Sequence, residues 1–388
     1  MKAGANASLD VQNLPAPLHV PAGKLRFAQH CILSVENFGN FSCPSADNPN
    51  VGSRIRLWQS DVVYSAVIRC VDRQFLLRPD HDPRHPLLTK GCPVSSLEFG
   101  NNLIPSPSII NIIGSAAARA KQLHPVRLHA VEANVNHSHV LISASRDNVD
   151  NLSDFFRTFN GAIASQLNRK HERDGHFWES RIRVTPCLDD RSAEQQLLYI
   201  TTNPVKDGLV GTVAQSPLFT SYRALAHREP LCYWRIDWTR YLLAGGARKK
   251  SHAPKDYLEW LSLDLDPLPG QTDWPDHRRR AWFRRHVRDI ETSAREKLRV
   301  EDRRVFGASA LFALDPRDRP KNPKERGPQP LCHASDPQLH REFASEWREV
   351  MRAYRAASID YRAGMHDREF PEGTFRPPLV KRCTALLL

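Results

Sequence analysis

The chain has 388 residues, and its 55 lysines and arginines exceed its 43 aspartates and glutamates, giving a formal net charge of +12. This excess favours a polyanionic partner, with nucleic acid ahead of an acidic membrane surface. No apolar run approaches the roughly 18 residues of a membrane-spanning helix, and the first residues lack the apolar core of a signal peptide, so the sequence predicts a cytoplasmic protein.

The eight cysteines are scattered along the chain, and none belongs to a C-x-x-C pair. Neither the spacing of a zinc ribbon nor that of a compact disulfide framework is present. We therefore expect reduced thiols, as in cytoplasmic proteins generally.

The first predicted elements are an arm, a strand, a helix and a pair of strands. Residues 1–55 are rich in Pro, Asn, Ser and Gly, which is typical of an extended N-terminal arm. Residues 61–70 are β-branched and alternate in polarity, which indicates a strand. Residues 107–122 repeat apolar positions at helical spacing after a Ser-Pro cap signal. Residues 126–134 and 138–145 then predict two strands joined by a tight connection.

The next predicted elements are a helix, a strand and a further helix. Residues 148–168 carry apolar side chains three and four positions apart, which predicts an amphipathic helix. Residues 177–188 predict a fourth strand, and residues 190–203 a third helix that ends before Pro204. The N-cap of this helix is predicted at one of three polar residues: Asp189, Asp190 or Ser192.

The resulting order is β-α-β-β-α-β-α. Such an order is typical of an α+β fold in which a four-stranded antiparallel sheet carries its helices on one face, the ferredoxin-like arrangement.

The C-terminal part of the chain is basic and mainly helical in pattern. Residues 277–304 combine many lysines and arginines with aromatic side chains, a composition suited to phosphate contact and base stacking. Their acidic residues also permit an ordinary salt-bridged helix on the surface, although we favour contact with DNA. A Pro-rich connector at 315–330 is predicted to be flexible or extended, and residues 337–363 are predicted to form a helix.

These patterns divide the chain into three parts. An extended arm covers residues 1–55, a central α+β domain covers 56–240, and a basic, mainly helical extension covers 241–388.

Two histidines separated by one residue form the first candidate site. In a strand, successive side chains alternate between faces, so His137 and His139 project from the same side. Two imidazoles placed in this way can bind one divalent cation. A lone H-x-H pattern also fits one buried, hydrogen-bonded histidine beside one surface histidine, and the pattern alone does not decide between the two.

A tyrosine and an asparagine form the second candidate pair. Tyr199 and Asn203 lie four residues apart on the predicted third helix, so they share one helix face. The same spacing fits a tyrosine on an apolar stripe and an asparagine that ends the helix before Pro204. Neither candidate pair is specific by itself.

Four motifs together carry a resemblance that covers residues 61–225. In chain order they are N-H-S-H-V-L-I, F-F-R-T-F-N, G-H-F-W-E-S-R-I and L-L-Y-I-T-T-N-P-V-K-D-G-L-V. This series resembles the single-tyrosine HUH transposases, and among them the REP-associated tyrosine transposases. One position departs from the family pattern, because Ser138 stands where the middle HUH residue is normally bulky and apolar.

The resemblance implies a role for each candidate residue. His137 and His139 match the metal-binding pair, Asn203 matches a third, amide ligand of the metal, and Tyr199 matches the nucleophile. The implied cofactor is Mg²⁺ or Mn²⁺, which mixed nitrogen and oxygen ligands suit. The implied activity is that of a DNA endonuclease and strand transferase, a transposase that cleaves single-stranded or hairpin DNA through a 5′-phosphotyrosine intermediate.

The expected partner is therefore single-stranded or hairpin DNA, with no membrane partner and a nucleoid-associated location in the cytoplasm. The resemblance leaves both a monomer and a homodimer open. Basic and aromatic residues in and beyond the matched region are candidate DNA contacts: Arg181, Arg183, Lys206, Trp282, Arg284 and Arg285.

Two alternative functions remain at this point. The chain fits a domesticated protein that binds DNA hairpins but cleaves them weakly or not at all. It also fits an unrelated metallohydrolase, although that class would leave Tyr199 and Asn203 unexplained and normally needs more carboxylates around the metal.

Overall fold

The computed structural model describes residues 57–80, 107–145, 148–246, 253–321 and 330–377. Within these ranges, four strands form one sheet in the order β2-β3-β1-β4, and all neighbouring strands are antiparallel. The strands are β1 (Val63–Arg69), β2 (Val126–Ala133), β3 (His137–Ala144) and β4 (Arg183–Cys187). The helices between and after them are α1 (Ile109–Leu123), α2 (Asp150–Lys170) and α3 (Asp190–Lys206). The predicted element order and the ferredoxin-like α+β fold class are confirmed.

Helices α1 and α2 cover one face of this sheet. Alternate residues of β1, among them Tyr64 and Ile68, point into a core that the two helices close. On the α2 side this core contains Phe155, Phe156 and Phe159, which are fully or almost fully buried. The apolar stripe that predicts α2 therefore packs directly on the sheet.

Helix α3 covers the opposite face. Its residues Leu197 and Ile200 pack in a second core with Val63 of β1 and Leu141 of β3. The prediction of helices on one face therefore holds for α1 and α2 but not for α3. The physical reason is that the central strands carry apolar side chains on both faces of the sheet. Helices must therefore pack against each face to bury them.

Helix α3 continues beyond the predicted end at residue 203. It begins at a capping box in which the backbone N–H of Ser192 donates to Asp189 Oδ1 at 2.7 Å, and it contains Pro204 in its last turn. A proline lacks the N–H that would bond to the carbonyl four residues earlier. Because the helix ends two residues later, this loss is confined to one turn, and Asn203 stays helical.

The remaining elements lie after the matched region or at its end. They are α4 (Tyr222–His227), β5 (Cys232–Ile236), α5 (Trp238–Leu243), β6 (Leu258–Ser262), α6 (Asp276–Val300), α7 (Ala308–Phe312) and α8 (Pro337–Arg362). Strands β5 and β6 pair with each other, so the predicted boundary at residue 240 falls between two paired strands.

Helix α6 contributes side chains to the core beneath α3. Phe283 and Val287 are buried there, and Glu291 Oε1 accepts a 2.8 Å hydrogen bond from the backbone N–H of Val213. The basic helix is therefore packed onto the central domain along its apolar side. The predicted arm at 1–55 and residues 322–329 of the predicted connector at 315–330 lie outside the described residues.

The cysteines follow the prediction in part. Cys70, Cys187 and Cys332 are buried free thiols, whereas Cys232 is disulfide-bonded, so the expectation of reduced thiols is wrong for this residue. Chain spacing could not reveal it, because a disulfide depends on which cysteines the fold brings together. Within the described ranges, no helix combines the length and apolarity needed to cross a bilayer.

We expect Phe283→Ala to lower the free energy of unfolding by about 3–5 kcal/mol, because it would leave a cavity between α6 and α3. Urea denaturation followed by circular dichroism measures this loss. The matched control is Arg285→Ala on the exposed side of the same helix, where a change within about 0.5 kcal/mol is expected. Equal stability of the two variants would contradict a structural role of α6 in this core.

Candidate active site

The two histidines lie side by side on the face of β3 that α3 covers. The centroids of the His137 and His139 rings are 4.9 Å apart, and His139 is buried while His137 is half-buried. Ser138 lies between them on the other face, where its hydroxyl donates to the carbonyl oxygen of Glu132 at 3.1 Å. A backbone hydrogen bond therefore satisfies the small polar residue at the position that departs from the family pattern.

Helix α3 places its two candidate residues against these histidines. Asn203 is buried, and its Nδ2 lies 3.3 Å from His139 Nε2. Tyr199 lies one turn earlier, with its ring perpendicular to that of His139 and the two centroids 6.1 Å apart. Because 43% of Tyr199 is exposed, this tyrosine is not part of an apolar stripe. The structure brings all four candidate residues together.

A hydrogen bond indicates which ring nitrogen of His137 carries the proton. His137 Nδ1 lies 2.8 Å from Asn136 Oδ1, and this oxygen can only accept, so Nδ1 is the donor. The lone pair of Nε2 then points toward the side-chain amide of Asn134, 3.3 Å away. Asn136 thus orients an imidazole with its free nitrogen toward the α3 side.

Both imidazoles are neutral at pH 7. Burial lowers the pKa of His139 to about 4, and the positive charge of Arg69 acts in the same direction. Burial also holds the pKa of His137 well below its usual value, with further contributions from His139 and Arg69. Neutral imidazoles are the form in which histidine binds a metal ion.

The side chains at this site fit a divalent ion. Two imidazole nitrogens and an amide oxygen form a mixed donor set that Mn²⁺ and Mg²⁺ accept. One buried polar atom close to them, Asn134 Oδ1, has no hydrogen-bond partner in the described part of the chain. No group of three His, Cys, Asp or Glu side chains within the same ranges could hold a metal, so the donor set is neutral and lacks the carboxylates of most metallohydrolases.

Tyr199 lies among charges of both signs. Partial burial raises the pKa of its phenol, the carboxylate of Asp207 raises it further, and the guanidinium of Arg69 opposes both. The ammonium of Lys206 lies 4.8 Å from the centroid of the Tyr199 ring. The phenol is therefore protonated at neutral pH and must lose its proton when it acts as a nucleophile.

Arg69 and Asn134 are site residues that the sequence patterns do not reveal. Arg69 ends β1 directly opposite His137 in the strand register, so it projects from the histidine face. The alternation of β1 indicates which of its residues share a face, but only the pairing of β1 with β3 shows that this arginine lies beside His137. Asn134 likewise can be assigned to the site only when the conformation of the turn between β2 and β3 is known.

Two arginines near the site, Arg181 and Arg183, are predicted to contact DNA, and they differ in their position relative to β4. Arg183 lies on the histidine face of β4, opposite Val67, which in turn is opposite His139. Arg181 precedes β4 and is exposed, so the prediction that both arginines lie on one strand is wrong. The strand starts later than predicted because its continuous pairing with β1 begins at Arg183.

The predicted DNA contacts on α6 differ in their environment. Trp282 is half-buried against Trp274 and His286, which occupies part of its ring surface. Arg284 Nη1 donates to the carbonyl oxygen of Ala226 at 3.2 Å. Arg285 is exposed on the outer side of the helix. Their role in DNA binding stays a prediction.

The solved structures that are similar to this chain include two transposases. A REP-associated tyrosine transposase bound to a REP hairpin aligns with 17% identity and a TM-score of 0.31, over 46% of this chain and 88% of that chain. An inferred transposase from Deinococcus radiodurans R1 aligns with 14% identity and a TM-score of 0.22, over 38% of this chain and 95% of that chain. The chain matches no protein-family model and no curated protein sequence. Both structural similarities are low, so any function must be argued from the site itself.

We expect long-range ¹H–¹⁵N NMR spectra at pH 7 to place the ring proton of His137 on Nδ1. On acidification, His139 should stay neutral to about pH 5, because a base with a lowered pKa takes up its proton only at lower pH. In Asn136→Ala, His137 should lose its single tautomer while His139 keeps its pKa. A proton on Nε2 of His137 in the unaltered protein would contradict the assigned orientation.

Proposed function

We propose that the protein is a metal-dependent DNA endonuclease and strand transferase, a transposase of the single-tyrosine HUH type. Its substrate would be single-stranded or hairpin DNA, and Tyr199 would be its nucleophile. The observation that carries this proposal is the position of the partly exposed Tyr199, whose ring centroid lies 6.1 Å from that of His139, beside a cluster of two neutral imidazoles and an amide. The resemblance of the four sequence motifs supports the same assignment.

His137, His139 and Asn203 would hold the ion, which is Mg²⁺ or Mn²⁺. When bound, the ion supplies positive charge to a non-bridging oxygen of the phosphodiester, which reduces the repulsion that an incoming nucleophile meets. Because the three ligands are neutral, they leave the full charge of the ion to act on the DNA. Asn203 and Tyr199 share one face of α3, so the ligand and the nucleophile are held on one rigid element.

Tyr199 would attack the phosphorus atom. A bond forms between its phenolic oxygen and phosphorus, the bond from phosphorus to the 3′ oxygen breaks, and the leaving oxygen takes up a proton as a free 3′-hydroxyl. The phenolic proton passes to solvent, which the exposed side of the ring contacts. Arg69 favours this step, since its charge lowers the pKa of the phenol.

The product would be a 5′-phosphotyrosine that keeps the energy of the cleaved ester. The 3′-hydroxyl of a second DNA end can attack this phosphorus and displace the tyrosine. Cleavage and joining therefore need no nucleotide cofactor. Cleavage followed by joining to a second end is the strand transfer that DNA transposition and recombination require.

Basic side chains around the site would bind the DNA backbone. Arg183 shares the histidine face, Lys206 lies at the Tyr199 ring, and Arg181 and Arg285 are exposed. Contacts of this kind bind phosphates without reading the sequence, and they weaken as the salt concentration rises. Since Trp282 is partly covered, α6 would act through charge more than through base stacking.

A second candidate function would use the same DNA-binding surface but would include little or no cleavage of the DNA. The raised pKa of Tyr199 favours a domesticated protein that binds DNA hairpins and cleaves them weakly or not at all. Both proposals predict hairpin binding, so cleavage decides between them.

We expect Tyr199→Phe to abolish both cleavage and the covalent protein–DNA adduct while binding of a DNA hairpin stays near the wild-type level. The substitution removes one hydroxyl and preserves the ring. Denaturing gels of a labelled oligonucleotide, incubated with Mn²⁺ or Mg²⁺, measure both products.

Tyr354→Phe on α8 is the matched control, and it should cleave normally. His137→Ala should also lose cleavage, through loss of metal binding. An adduct that persists in Tyr199→Phe would show that another residue is the nucleophile. Binding without cleavage in the unaltered protein would establish the second function.

We expect Arg69→Gln to slow cleavage at saturating DNA by at least about tenfold, because a charge beside the reacting phenol and phosphate is lost. Its affinity for DNA should change little. Arg285→Gln is the control with the opposite expected result. It should weaken DNA binding and reduce the slope of the salt dependence of DNA affinity by about one. Its cleavage rate at saturating DNA should be unchanged. Equal rates for Arg69→Gln and the unaltered protein would exclude Arg69 from the chemistry.

A further inference from the structure

Asn134 is fixed in place by the turn that carries His137. It is the first residue after β2, and its backbone N–H donates to the carbonyl oxygen of His137 at 2.8 Å. Only 3% of Asn134 is exposed. Its side chain therefore lies in a closed environment between the sheet and α3, where every polar atom needs a partner.

The side chain of Asn134 connects the two halves of the site. Its Nδ2 donates to Asn203 Oδ1 at 2.8 Å and lies 3.3 Å from His137 Nε2. Asn203 Nδ2 in turn lies 3.3 Å from His139 Nε2. The four side chains thus form one continuous series in which each imidazole faces an amide and the two amides contact each other. At the edge of this series, Asn134 Oδ1 is buried and has no hydrogen-bond partner among the described residues.

An amide group can turn by half a revolution without changing the space that it occupies, which exchanges its nitrogen and oxygen. If both amides turn together, Asn203 donates to Asn134 in place of the reverse, and the contact between the amides is kept. An amide oxygen then lies beside each of the two imidazole nitrogens. If only one amide turns, two oxygens or two nitrogens meet at this contact, so the hydrogen bond couples the two groups.

We propose that Asn134 is a further metal-binding residue, which supplies an amide oxygen beside His137 as Asn203 does beside His139. This proposal rests on the metal site of the proposed function and extends it to two imidazole nitrogens and two amide oxygens. With both amides turned, each oxygen would take the present position of its own Nδ2, 3.3 Å from the neighbouring imidazole nitrogen, and ligands that share a small octahedral ion are separated by about 3 Å. The paired amides explain how a donor set without carboxylates offers enough oxygen atoms to a cation that prefers them.

The experiment is a calorimetric titration of the full-length, DNA-free protein with Mn²⁺, repeated by electron paramagnetic resonance of the free ion. Asn134→Leu should weaken Mn²⁺ binding about 10- to 100-fold, as loss of a metal-site group does, and Asn203→Leu should do the same. Asn168→Leu, on α2, is the control and should bind like the unaltered protein. Thermal unfolding without metal verifies that each variant is folded.

Asn134→Asp separates a ligand from a residue that only positions Asn203. Aspartate keeps an oxygen but cannot donate, so it should bind Mn²⁺ at least as tightly as the unaltered protein if residue 134 is a ligand. Weakening equal to that of Asn134→Leu would overturn the proposal, because the N–H group alone would then matter. If Asn134→Leu does not fold, the Mn²⁺ affinity of Asn134→Asp is compared with that of the unaltered protein alone. A weaker affinity of Asn134→Asp would then overturn the proposal.

Two further outcomes distinguish this proposal from the proposed function. If the unaltered protein binds Mn²⁺ and Asn134→Leu binds it equally well, only the role of Asn134 is overturned. If the unaltered protein does not bind Mn²⁺, the metal site of the proposed function fails and the present proposal falls with it.

Discussion

Strand β3 is packed on both of its faces, and the whole site follows from this constraint. Successive side chains of a strand alternate, so Val140 and Ile142 enter the core beneath α1 and α2, while Leu141 enters the core beneath α3. The same alternation places His137 and His139 on the α3 side. A shift of one residue in the pairing of β3 would exchange the two faces and remove both imidazoles from the site.

The candidate chemistry is divided between this strand and one helix. The sheet supplies imidazoles that burial keeps neutral, and α3 supplies Asn203 and Tyr199 one turn apart. Apolar residues of the same helix, among them Ile200, anchor it to the sheet. The packing that stabilises the fold therefore also sets the distance between the metal-binding groups and the nucleophile, and α6 supports α3 from outside.

The sequence predicts what depends on local periodicity and fails where the fold brings distant residues together. The shared face of the two histidines follows from strand alternation, and the shared face of Tyr199 and Asn203 follows from helical spacing. Arg69 and Asn134 could not be found in this way, because their positions depend on which strands pair and in which register. Pro204 was expected to end α3, but the cost of a proline in the last turn is small enough for the helix to continue.

The central claim is that the hydroxyl of Tyr199 becomes covalently attached to DNA. Peptide mapping by mass spectrometry of the wild-type protein, after reaction with single-stranded hairpin DNA and Mn²⁺, tests it directly. We expect a nucleotide joined through its 5′ phosphate on the peptide that contains Tyr199, and on no other tyrosine peptide. Attachment to a different residue, or the absence of any modified peptide after complete conversion of the DNA, would contradict the account.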